Sequence, residues 1–144
     1  MPSPQTLEKM ARQALKDEDE YAAISCFKQL VKENPSYKDG EIFYELAKLY
    51  RAANDTGLVL ENYQQAYTQG FKEAGFLNEF AALLFEQEKF KAAFTIYAKI
   101  LFREQQYLQD SRSTLDKIDL IAKNLGWSTV ALKKNLARIL KKPV

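Results

Sequence analysis

Three short stretches decide the fold: "AISCF" at 23–27, "VLENY" at 59–63 and "AFTIY" at 93–97. Each sets a small or branched residue (Ala23, Val59, Ala93) four positions before an aromatic one (Phe27, Tyr63, Tyr97). The aromatics stand 36 and then 34 residues apart, and an apolar side chain follows each by three: Leu30, Ala66 and Ile100. Steps of three and four place all of these positions on one face of a helix. A recurring interval of this size is the signature of stacked supersecondary units.

Upstream of each stretch lies a second apolar pattern of the same period. It holds Leu7, Met10, Ala11 and Ala14, then Phe43, Leu46, Ala47 and Tyr50, then Leu77, Phe80, Ala81 and Leu84. The alanines at 11, 47 and 81 repeat the intervals of 36 and 34. A small residue at such a position lets two helices approach closely. The spacing predicts helices at about 5–17, 20–34, 40–53, 57–69, 73–87 and 89–105. Asn54, Asp55 and Thr56 are candidate caps at the second corner, and "EQEKF" turns the third without a glycine. The two extra residues of the first interval fit in the "PSYKDGE" connection, where a turn can absorb them.

The pattern resembles the tetratricopeptide repeat family, with small residues at the close crossings and Pro35 after the second helix. The later repeats lack that proline, and end in "TQGFKEAG" and "FREQQY". The resemblance covers 4–106 and implies three divergent repeats, about 4–37, 40–73 and 74–106. It implies an all-α fold, a right-handed solenoid of antiparallel helix pairs, closed by a helical hairpin at 107–144. Terminal repeats need a cap with a polar outer face, which this hairpin would supply.

Composition is that of an ordinary globular chain: 144 residues, 47% hydrophobic, with five Gly and four Pro. Cys26 is the single cysteine, so no intrachain disulfide or multi-cysteine metal site is expected; a packed thiol is. His is absent, which removes the commonest proton-transfer group and metal ligand. With no phosphate loop or nucleophile elbow either, no catalytic residue and no cofactor is expected. No apolar run approaches the ~18 residues of a membrane span, and "MPSPQTLEKM" lacks a signal-peptide core. A cytoplasmic protein with no membrane contact is expected.

The resemblance also implies a groove lined by the first helix of each pair: Glu8, Arg12 and Leu15, then Tyr44, Lys48 and Arg51, then Asn78, Ala82 and Phe85. Tyr44, Lys48 and Arg51 lie at four- and three-residue steps, an aromatic and two cations on one stripe. Such a stripe suits an extended peptide carrying an acidic group, with Phe85 as an anchor for a partner helix. The alternative is a solvated face with a half-covered tyrosine. A clamp for the acidic tails of chaperones is not expected, because the matching positions read Glu8, Arg12, Glu45, Gly75 and Glu79.

The charge is unevenly spread. Residues 120–144 hold six cations (Lys123, Lys133, Lys134, Arg138, Lys141, Lys142) and no acid, while 1–119 hold 15 basic and 19 acidic side chains, a net of −4. Within this tail, Ser113 or Thr114 is a candidate cap for a helix with Leu115, Ile118, Ile121, Ala122 and Leu125 apolar. Gly126 ends it, and Ser128 caps a second helix with Val130, Leu132, Leu136, Ile139 and Leu140 apolar. Ala122, Gly126, Trp127, Ser128, Leu132 and Leu136 resemble a bacterial helix-turn-helix over 121–142. That resemblance implies that Thr129, Lys133, Lys134 and Arg138 would face phosphates or base edges.

The expected function is therefore a non-enzymatic interaction module, an adaptor or scaffold holding a protein or peptide partner through Arg12, Tyr44, Lys48, Arg51, Asn78 and Phe85. A nucleic-acid-binding regulator using the tail on DNA is the alternative. A small secretion chaperone built from three such repeats is a further one.

Overall fold

The computed structural model describes residues 2–141. Among them it contains α-helices joined by short turns and no strand. In chain order they are α1 (Pro4–Lys16), α2 (Glu20–Glu33), α3 (Glu41–Ala52), α4 (Thr56–Thr68), α5 (Ala74–Glu86), α6 (Phe90–Gln106), α7 (Arg112–Leu125) and α8 (Thr129–Leu140). A 3₁₀ turn, Tyr37–Gly40, lies between α2 and α3. The first six fall within two residues of the helices expected from spacing. The chain forms two compact units, Met1–Lys72 and Glu73–Val144.

In the first unit α1 packs on α2, α2 on α3 and α3 on α4. Leu7, Ala11, Phe27, Leu30, Ile42 and Leu46 make one buried cluster. Cys26 packs partly buried at its edge. Tyr63 and Ala66 are buried, and so is Ala47 at the alanine position of the second pair. Met10 departs from its expected core position and is 48% exposed.

The two extra residues of the first interval lie in the 34–40 connection. Lys38, Asp39 and Gly40 there have φ of 52°, 55° and 91°, a left-handed turn. Only at Gly40 is glycine required twice over. Its φ is left-handed, and a Cβ would stand 2.8 Å from the Ala66 carbonyl oxygen of α4.

In the second unit α6 is the hub, packing against α5, α7 and α8. Ala81, Ala93 and Tyr97 are buried at the positions the period assigns, and α7 buries Ile118, Ile121 and Ala122. Helix α8 has no fully buried residue. Leu132, Leu136, Ile139 and Leu140 are half-buried, but Val130 is 73% exposed and not part of an apolar seam. The cap expected at Ser113 or Thr114 is also displaced. Helix α7 begins earlier, at Arg112, whose N–H donates to Asp110 Oδ1 at 3.0 Å, and Thr114 is buried in its first turn.

Six helices end in one backbone arrangement. A left-handed residue follows the helix, and the next N–H donates to the carbonyl five residues back. The donors and acceptors are Asp19 to Ala14, Asp55 to Tyr50, Phe71 to Ala66, Lys89 to Leu84, Gln109 to Glu104 and Trp127 to Ala122, at 2.8–3.0 Å. This is the Schellman stop, which satisfies carbonyls the helix leaves open. The left-handed residues Glu18, Asn54 and Glu88 repeat the 36 and 34 intervals of the alanines. Asn54 is thus a helix stop, and Asp55 is the cap, accepting from Leu58 N–H at 3.2 Å.

Candidate functional site

Three polar side chains of the first unit converge on Glu8. Its Oε2 accepts from Arg12 Nε and from Lys38 Nζ, both at 2.8 Å, and its Oε1 accepts from the Tyr37 hydroxyl at 2.8 Å. The residue is only 8% exposed. Burial pushes its carboxyl up, but the hydrogen bonds from Lys38, Tyr37 and Arg12 outweigh burial and lower it to about 2. The bond to Glu8 raises Lys38 and, from the other side, Tyr37.

Arg12 reaches further. Its guanidinium lies 3.7 Å from Glu41 and 3.8 Å from Glu45, both on α3, and 5.9 Å from the Phe27 ring centre. Burial alone would lower Arg12; the bond to Glu8 and the charges of Glu45, Glu8 and Glu41 raise it instead. Glu45 also holds Lys48 Nζ at 3.0 Å. Three cations, Arg12, Lys38 and Lys48, therefore meet three carboxylates, Glu8, Glu41 and Glu45.

This changes the reading of the expected groove. Arg12 is part of an internal ion network. Lys48 is shared between Glu45 and the face of Tyr44, 4.8 Å from the ring centre. Tyr44 is half-buried, tilted against Phe71 at 5.4 Å and Tyr63 at 6.1 Å. Arg51 is exposed one turn further along α3, with its guanidinium 5.9 Å from the Tyr63 ring centre. The structure thus brings Arg12, Tyr44 and Lys48 together through Glu45. Asn78 and Phe85 belong to the second unit. Asn78 is exposed, its amide donating to the Ala74 carbonyl at 3.0 Å; Phe85 is half-buried, edge-on to Phe90 at 5.4 Å.

Sequence reasoning missed Tyr37, Lys38 and Glu41 as partners in this network. The Glu8–Arg12 and Glu45–Lys48 pairs carry the local i,i+4 and i,i+3 signal. Tyr37 and Lys38 carry none, because they reach Glu8 across 29 and 30 residues.

The tail is electrically different. Thr129, Lys133, Lys134 and Arg138 are all exposed on α8. Among the described residues none of these cations has a carboxylate in ion-pair contact; Arg138 donates to Asn135 Oδ1 at 3.0 Å. Gly126 is left-handed at φ 70°, and the Ser128 hydroxyl accepts from Ala131 N–H at 3.1 Å. Trp127 packs edge-on to Phe94 of α6 at 4.9 Å. No group of three or more metal-ligating side chains occurs among the described residues, and no helix among them is long and apolar enough to cross a membrane. No family model matches the chain, and no curated protein matches its sequence.

Proposed function

We propose that the chain is a non-enzymatic, tetratricopeptide-like interaction module of the cytoplasm. Its α3 face would hold an extended peptide or helix of a protein partner. The observation that carries this reading is the Tyr44–Lys48 pair. An aromatic ring packs against Phe71 and Tyr63 while an ammonium sits 4.8 Å from its centre, on a face where Lys48 is 48% exposed. A ring already fixed in place loses little freedom on binding, which favours it as an anchor. Arg51, one turn on, adds a cation for an acidic side chain. Because Glu41 and Glu45 lie beside them, the favoured partner carries one acidic group next to an aromatic or branched side chain, not an acidic run.

The period of alanines, aromatics and left-handed stops supports the repeat reading, and α7 packed on α6 supports the tail as its cap. Selection of a displayed short-peptide library on the protein tests the function. Selected peptides should lose about tenfold or more in affinity to Tyr44→Ala and Arg51→Glu. Equal binding to both variants would overturn the reading.

A second reading rests on one observation: the α8 cations have no carboxylate partner among the described residues. Binding of duplex DNA that falls about tenfold from low to moderate salt, and is lost in a Lys133/Lys134/Arg138→Ala variant, would establish it.

A further inference from the structure

Helices α6 and α8 leave a cleft between them of about 450 Å³. Each contributes residues at one, four and five places along a helical face: Lys91, Phe94 and Thr95 from α6, and Asn135, Arg138 and Ile139 from α8. Trp127, from the corner before α8, adds to the lining. The cleft is open, and its exposed lining is more polar than apolar.

The lining side chains divide by chemistry. Phe94, Trp127 and Ile139 are apolar, and the edge-on contact of the two rings fixes the indole. Two neutral groups are spent on the protein itself. The Thr95 hydroxyl donates to the Lys91 carbonyl at 3.1 Å, and the Asn135 amide donates to the Ala131 carbonyl at 2.8 Å. The oxygen of that same amide accepts from Arg138 at 3.0 Å, which positions the guanidinium and leaves its other donors for a ligand. Lys91 and Arg138 are the charged members, and among the described residues the lining contains no carboxylate. That separates this cleft from the first unit, where Arg12, Lys38 and Lys48 each meet a glutamate.

We infer that this cleft is a binding site for a small organic anion with a flat aromatic body, an aromatic carboxylate. Its ring lies against the half-buried Trp127, which the buried Phe94 backs, and its carboxylate is held by Lys91 and Arg138. A planar guanidinium fork and an ammonium together match the two oxygens of a carboxylate. A polyanion lying along α8 would engage Lys133 and Lys134 as well. Neither lines the cleft, which takes its second cation from α6.

Trp127 is the only tryptophan, so its indole N–H gives one unambiguous signal in a ¹H–¹⁵N correlation spectrum. The probes are phenylacetate, phenylacetamide (the same shape without charge) and acetate (the same charge without a ring). Phenylacetate should shift the indole signal saturably, with both controls about tenfold weaker or more. Lys91→Gln and Arg138→Gln should each weaken phenylacetate by about tenfold, whereas Lys133→Gln should leave it unchanged. Lys91 and Arg138 are exposed, so the rest of each spectrum should overlay on the parent and verify folding. No saturable shift up to about 20 mM would overturn the proposal. So would equal binding of either control, or an equal loss in Lys133→Gln.

Discussion

The Tyr37 hydroxyl donates to Glu8 Oε1 at 2.8 Å across 29 residues of chain, and joins the left-handed turn at 37–40 to helix α1. Lys38, next to it, donates to the other oxygen of the same carboxylate. Non-glycine residues in left-handed backbone cost about 1–2 kcal/mol each, and Lys38 and Asp39 both adopt it. Such conformations persist where the surroundings over-determine them. Glu8 is that surrounding: it receives three donors, from α1 and from the turn.

The Glu8 carboxyl should govern part of the acid sensitivity. Its folded value, about 2, lies below the ordinary 4.5. Its stabilisation is therefore complete above about pH 4.5 and is lost as pH falls through about 2. The shift corresponds to about 3 kcal/mol at most, and screening at the partly exposed Arg12 and Lys38 reduces this to about 1–3 kcal/mol. Urea unfolding of the parent and Glu8→Gln from pH 7 to pH 2 checks it. The two should differ most near neutrality and converge in acid; a gap independent of pH would count against the assignment.

Two glycines should respond differently to alanine. At Gly126, φ is 70° and a Cβ would meet nothing within 4 Å, so Gly126→Ala should cost only backbone strain, about 1 kcal/mol. At Gly40 the added carbon would also stand 2.8 Å from the Ala66 carbonyl oxygen and from Gln69 Cβ. Gly40→Ala should cost about 2–4 kcal/mol. Equal losses in urea midpoint would mean that the turn does not pack closely on α4.

The corner before α6 can be improved. Asp19 and Asp55 cap α2 and α4 through their side chains, but at the equivalent place before α6 Lys89 makes no capping bond. Lys89→Asp should supply the missing acceptor and remove a cation from a helix N-terminus, a gain of about 1 kcal/mol. Thermal unfolding measures it, and an unchanged or lower midpoint would refute the equivalence of the three corners.

Leu108 offers a second gain. It is left-handed at φ 54° and 94% exposed, so its side chain contributes little packing to offset the strain. Leu108→Gly should stabilise the chain by about 1 kcal/mol, again read as a rise in unfolding midpoint. A loss of stability would show that the leucine is covered in solution.

The sequence by itself determined the first six helices, their bounds to within two residues and their period. These depend on neighbours three and four positions apart, and Ala11, Ala47 and Ala81 are buried as their spacing requires. Gly126 and Ser128 were legible for the same reason, since a helix stop and its following cap are local chemistry. Glu18, Glu88 and Leu108 were not, because nothing in a glutamate or a leucine announces left-handed backbone. Only the tertiary structure decided the electrostatics. The resemblance implied a groove role for Arg12 and Lys48, yet carboxylates from another turn or helix pair with both. The cleft likewise needs Lys91 and Arg138 from separate helices. Helical register follows from short-range spacing, whereas the charge left over for a partner depends on which distant side chains folding brings within about 4 Å.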